Sequence, residues 1–268
     1  MSNTQPWHAT YAKQSFQGPR VAVEADKLLA QIQDEPNTHT IGLIMPSTMH
    51  TVAKTHKDLP PGAEMLLYCG IADLDAEPRH AGSKEALKQA IQTGIQSNMT
   101  WAELSEACPD FADVAKAARV LCAQLRAKGF TPSCWFTGGK GFRVVWWDPA
   151  CFLRYQKGDA GVSTRVLEGF FRTYLGSDCL AEIRELCDFD KNIYDAGKGV
   201  KSDLQRHQDT GFWPLLVDFS DAGLASLRMR RTERDQDLCQ TIVGFWTDVL
   251  RQLPASWASV APVPDGGA

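Results

Sequence analysis

The stretch 134–147, CWFTGGKGFRVVWW, restricts the fold more than any other part of the chain. Two short apolar, aromatic runs flank a Gly-Gly-Lys-Gly turn, a pattern that reads as two strands joined in an antiparallel hairpin. The turn is cationic and poor in side chains. Gly138, Gly139 and Gly141 would let backbone N–H groups come close to an anion, while Thr137, Lys140 and Arg143 can donate to phosphate oxygens. Taken alone this is a weak signal, since Gly-Gly turns with a lysine are often plain hairpins.

The rest of the chain supplies strands and helices around this hairpin. RVAVEA, HTIGLIM and EMLLYCGIADLD read as strands, with ADKLLAQIQ as a helix between the first two. Residues 84–129 read as helical: Val114, Ala118, Leu121 and Leu125 recur at spacings of three and four, and Gly129 follows Lys128 as a stop. Residues 163–187 are helical again, a strand is expected at about 212–219, and an amphipathic helix follows the basic cluster Arg228, Arg230, Arg231 and Arg234. The closing PASWASVAPVPDGGA is rich in Pro, Ala and Gly and reads as a linker or frayed end.

At 268 residues the chain is long for one domain and short for two, so one sizeable α/β unit is expected. A composition of 44% hydrophobic and 22% charged residues with a formal net charge of -4 is that of an ordinary globular protein. It excludes a histone-like basic binder, so any nucleic-acid surface must be local. No apolar run approaches bilayer-spanning length and MSNTQPWHAT has no signal-peptide pattern, from which an intracellular protein without membrane attachment is expected. The eight cysteines contain no C-x2-C pair, so no zinc is expected.

Three acidic positions are candidates for chemistry. Asp73 and Asp75, two apart at the end of an apolar strand, share one face, and like charges so placed are commonly bridged by a divalent metal. The bland alternative is a solvated turn. In LCDFDKNIYD, Asp188 and Asp190 follow a helix; one of them is a third candidate, against a capping role. Trp135, Trp146 and Trp147 are expected in the core, with one of them able to stack a base.

The order of these elements resembles the archaeo-eukaryotic primase superfamily, which includes the catalytic small subunit of DNA primase and the primase-polymerases. GIADLD is similar to its first motif and FTGGKGFRVVWWD to its second. DKNIYD, followed by Lys201, His207, Thr210 and Gly211, is similar to its third. The likeness covers roughly residues 15–220. Thr137 stands where a Ser is usual and Arg143 where a His is usual, and the cysteine zinc module of many members is absent.

The resemblance implies a mixed α/β (α+β) fold: one catalytic domain over residues 1–260, with an RRM-like sheet, a smaller α/β lobe and peripheral helices, then a flexible tail at 261–268. It implies template-dependent nucleotidyl transfer, with two Mg²⁺ or Mn²⁺ ions held by Asp73, Asp75 and Asp190. Thr137, Gly138, Gly139, Lys140, Arg143, Lys201 and His207 would bind the nucleotide's phosphates. Its implied partners are single-stranded DNA template and primer, nucleoside triphosphates, and a helicase or primase large subunit. Two rivals remain: a D-x-D glycosyltransferase, and a primase-like subunit that binds nucleic acid without chemistry.

Overall fold

The computed structural model describes residues 7–12, 20–24, 40–46, 61–156, 158–194, 200–201, 206–207, 209–253 and 259–264. Within these the chain is mixed α and β, with two sheets and six helices. The helix read at ADKLLAQIQ lies outside the described residues.

The first sheet contains β1 (Trp7–Ala12), β2 (Arg20–Glu24), β3 (Thr40–Pro46), β4 (Glu64–Tyr68), β8 (Phe152–Gln156) and β12 (Ala261–Pro262). Its order is β12-β8-β4-β3-β1-β2, with β10 (Val200–Lys201) paired to β3. The second contains β5 (Ile71–Asp75), β6 (Ser133–Phe136), β7 (Gly141–Val145), β9 (Asp188–Phe189) and β11 (Leu215–Val217), in the order β11-β6-β7-β5-β9. Every pairing in this second sheet is antiparallel.

Helices α1 (Lys84–Gln96), α2 (Trp101–Ala107) and α3 (Pro109–Ala127) join β5 to β6. Helix α4 (162–175), which includes a π-helical stretch at Val166–Phe171, and α5 (Ser177–Leu186) join β7 and β8 to β9. Thus β5, β6, β7 and β9 follow a β-α-β-β-α-β course in which β7 lies between β5 and β6, the split arrangement. Helices α3 and α5 pack on each other, and α3 covers one face of the sheet.

Local chemistry explains these helices. Ser83 accepts from the Ala86 amide at the start of α1, and Thr100 forms a reciprocal capping box with Glu103 at the start of α2. Pro109 opens α3, where its missing N–H costs nothing. The expected stripe Val114, Ala118, Leu121 and Leu125 is fully buried, and Gly129, with φ of 89°, ends the segment as the sequence predicts. Phe142 on β7 packs against Phe111 of α3 and Trp101 of α2, with ring centroids 5.7 and 5.6 Å apart.

The apolar run 64–75, read as one strand, is two. It leaves the first sheet after Tyr68 and enters the second at Ile71, and the Cys69 amide donates to Cys151 where the chain crosses. Tyr68 holds this junction: its ring stacks on Trp147 and packs on Phe152 and on Phe245 of the last helix, α6 (Gln236–Arg251). Its hydroxyl donates to the Trp146 carbonyl. Trp135 and Trp146 are buried as expected, and Trp147 is half-buried.

The C-terminal expectation needs correction. Residues 261 and 262, read as the start of a flexible tail, form a parallel edge strand on Leu153 and Arg154, with Val260 and Val263 buried on either side. Val260 and Val263 bracket this short strand, and the Pro, Ala and Gly around them hid it in the composition. No helix among the described residues is long and apolar enough to cross a membrane.

Candidate functional site

Alternation along β5 separates core from site. Ala72 and Leu74 are fully buried, on the side of Phe142 and Val144, while Asp73 and Asp75 point to the opposite face, away from α3. Asp73 stands across from Arg143, which in turn stands across from Trp135 on β6. Asp75 stands across from Gly141 on one side and Asp188 on the other.

Both carboxylates meet cations of the hairpin. Lys140 Nζ donates to Asp75 Oδ2 at 2.7 Å, and an Arg143 Nη donates to Asp73 Oδ2 at 3.0 Å. The Arg143 side chain is 7% exposed, so it is no solvent-facing strand arginine. The Asp75 carboxyl is held above the usual carboxylate range. Burial is the largest cause, the Asp73 charge adds to it, Lys140 works against it, and the Asp190 charge raises it further.

The third motif is tied to β5 by its backbone. The Asp190 amide donates to the Asp73 carbonyl at 2.9 Å, and Asp190 Oδ1 accepts from the Asn192 amide at 2.9 Å. Tyr194, fully enclosed, donates its hydroxyl to the Ile71 carbonyl. The Ile-Tyr pair after Asp190 therefore clamps this turn beneath the strand, a role that the apolar pair signalled only as burial. Of the two candidate acids, Asp190 is the one felt at Asp75; Asp188 is exposed.

The Gly-rich turn is a docking surface for His207 and the 209–212 segment. Gly138 has φ of 81°, and a Cβ there would lie 2.9 Å from the Phe212 carbonyl oxygen. A Cβ on Gly139 would collide with the His207 ring, and one on Gly141 would lie 2.5 Å from Asp75 Oδ1. Thr210 donates to the Gly138 carbonyl at 2.5 Å, and the His207 amide to the Phe212 carbonyl at 2.8 Å. The Asp209 amide reaches His207 Nδ1 at 3.3 Å, which leaves Nε2 on the side of Gly139.

Of the phosphate-binding residues expected from the sequence, Gly138, Gly139, Lys140, Arg143 and His207 thus gather around the D-x-D strand. The Thr137 hydroxyl is used inside the turn, donating to the Gly141 carbonyl at 3.1 Å. Lys201 pairs through its backbone with Thr40 of the first sheet.

One supporting residue was not anticipated. Asp110, buried in the first turn of α3, accepts from the amides of Arg79 and His80 on Oδ1 and of Ala81 on Oδ2. It holds the loop that leaves the D-x-D strand. The only hint in the sequence was an acid after Pro109.

Carboxylate oxygens are the donor type that hard divalent ions take, and Asp75 is raised chiefly by burial and then by the Asp73 charge, both of which a cation beside it would offset. As placed, Asp73 and Asp75 give oxygens to Arg143 and Lys140, and no group of three His, Cys, Asp or Glu converges as a metal site among the described residues. Compared with protein-family models, with curated proteins and with solved structures, the chain matches none.

Proposed function

We propose that this chain is a template-dependent nucleotidyltransferase of the primase-polymerase kind, joining nucleoside triphosphates on a single-stranded DNA template with release of pyrophosphate. The observation that carries the reading is the tie between the D-x-D strand and the third acid: Asp190 donates from its backbone to Asp73, and its charge is felt at Asp75. The split β-α-β-β-α-β course agrees with the RRM-like sheet that the resemblance implies.

In this reading Asp73, Asp75 and Asp190 hold Mg²⁺ or Mn²⁺. Bound there, the ions would supply charge neutralisation at the attacking and leaving oxygens of an in-line displacement. Lys140 and Arg143, now paired with the two carboxylates, supply positive charge for the triphosphate beside them. The Gly138–Gly139 turn keeps bulk away, and His207 Nε2 offers a further polar contact at its edge. Lys201 and a helicase or large-subunit partner belong to the same reading through the resemblance alone.

A second reading has one observation in its favour. Lys140 and Arg143 neutralise the two strand carboxylates without any ion, as suits a primase-like subunit that binds nucleic acid and does no chemistry. The test is incubation with Mg²⁺ or Mn²⁺, single-stranded template and labelled nucleotides, with and without primer. Template-dependent product supports the enzyme; DNA binding with no product in either metal supports the second reading.

A further inference from the structure

We propose that a cavity between α4, the end of α3 and the C-terminal edge strand binds a small flat aromatic anion of the arylcarboxylate type, at a site separate from the D-x-D carboxylates and independent of nucleotidyl transfer. The cavity has a volume of about 640 Å³ and is bordered by Lys128, Phe130, Phe170, Thr173, Tyr174 and Pro264. That volume lies within the range of small-molecule sites. Phe171, next to Phe170 in sequence, turns the other way and packs on Phe189 and Tyr194 with ring centroids 5.0 and 5.7 Å apart. The body of α4 therefore stands between this cavity and the turn that carries Asp190.

The aromatic walls share one orientation. Phe170 and Tyr174, one helical turn apart, stack with centroids 5.0 Å apart and planes 16° from parallel. Phe130, arriving from the end of α3, stacks on Tyr174 at 5.8 Å and 26°. A flat ring laid parallel to these extends the stack, which an aliphatic chain cannot do. The Tyr174 hydroxyl donates to Asp148 at 2.7 Å, and this bond fixes the ring. Phe170 belongs to the π-helical stretch of α4, a distortion frequent at functional sites. Pro264 closes the cavity from the edge strand, and Gly169 permits its approach: a Cβ there would lie 2.9 Å from the Pro264 Cβ.

The charge on the border sets the sign of the ligand. Among the described residues Lys128 is the one charged group that borders the cavity, and no carboxylate does. The carbonyls that end α3 are taken by the backbone amides of Lys128, Gly129 and Phe130, so capping this helix does not call for the Lys128 ammonium. Lys128 and Thr173 are both exposed at the rim, where an ammonium and a hydroxyl can donate to a carboxylate whose ring lies among the aromatic walls. An apolar, aromatic interior with a few donors at its edge is the usual make-up of a small-molecule site.

The experiment titrates the full chain with naphthoate by calorimetry, with naphthylmethylammonium as the control for charge and octanoate as the control for flatness. We expect saturable binding of one naphthoate with a Kd of about 1 mM or tighter. The ammonium analogue should bind about tenfold more weakly and octanoate about threefold more weakly. Lys128→Glu should lose about tenfold in naphthoate affinity, while Lys128→Arg keeps the parent's. Thr173→Trp, which fills the cavity from its rim, should abolish binding. Both positions are exposed, and thermal melting confirms that each variant is folded. Absence of saturable binding by the parent, equal affinity for naphthoate and its ammonium analogue, or parent affinity in either Lys128→Glu or Thr173→Trp overturns the proposal.

Discussion

The Asp190 amide donates to the Asp73 carbonyl at 2.9 Å, joining two acids 117 positions apart in sequence through the backbone rather than through their side chains. Neither carboxylate is spent on this tie, and the backbone hydrogen bond sets the spacing of the two residues. Position and charge are supplied by different atoms, so they can be tested separately.

Removing a carboxylate should abolish chemistry and spare the fold. Asp73→Ala and Asp75→Ala are expected to lower template-directed synthesis on the order of a thousandfold or more, with unchanged circular dichroism. Near-parent synthesis by either variant would dismiss the metal-site reading.

Asp75 gives a pH signature. Its carboxyl is raised in the folded protein, chiefly by burial and then by Asp73, above a free value of about 3.9. A raised carboxyl binds its proton more tightly when folded, so stability falls as pH rises from the free value through the raised one. Asp75→Asn lacks this penalty and should melt higher than the parent at pH 7, with the difference vanishing below about pH 4. Mg²⁺ or Mn²⁺ should raise the parent's melting temperature more than the variant's. A parent that outmelts the variant at pH 7 contradicts this assignment.

Arg143 is almost enclosed and faces Asp73, so Arg143→Ala strands a carboxylate in a half-buried place. We expect a loss of about 2–4 kcal/mol in urea unfolding, part of it recovered in the double variant Arg143→Ala/Asp73→Asn. Simple additivity of the two single changes would mean that the pair is not coupled.

Asp110 holds three amides with one carboxylate. Replacing it by Ala leaves those donors in a partly buried loop, and a loss of about 2–4 kcal/mol is expected, with Asp110→Asn intermediate. The urea midpoint measures it, and a change below about 0.5 kcal/mol would show that water takes over the three bonds.

Gly139→Ala would drive a methyl into the His207 ring. His207 should move off the turn, raising the KM for nucleotide about tenfold while stability changes by less than about 1.5 kcal/mol. An unchanged KM would remove His207 from the nucleotide site.

What the sequence determined by itself is what short-range periodicity encodes. Strands on either side of Gly138–Gly141, alternation of Asp73 and Asp75 with Ala72 and Leu74, and the buried stripe of α3 up to Gly129 all follow from side-chain spacing and backbone preference within a few residues. Tertiary structure decided whatever depends on register between distant strands. The break at Cys69–Gly70 was hidden in an apolar run because a strand buried in either sheet has the same composition. Pairing of Leu74 with Phe189 turns Asp190 toward Asp73 and leaves Asp188 exposed, and the facing of Asp73 by Arg143 makes that arginine an enclosed counter-ion. Side chains alternate faces along a strand, so a slip of one residue would have turned these side chains to the opposite face without altering a single local preference.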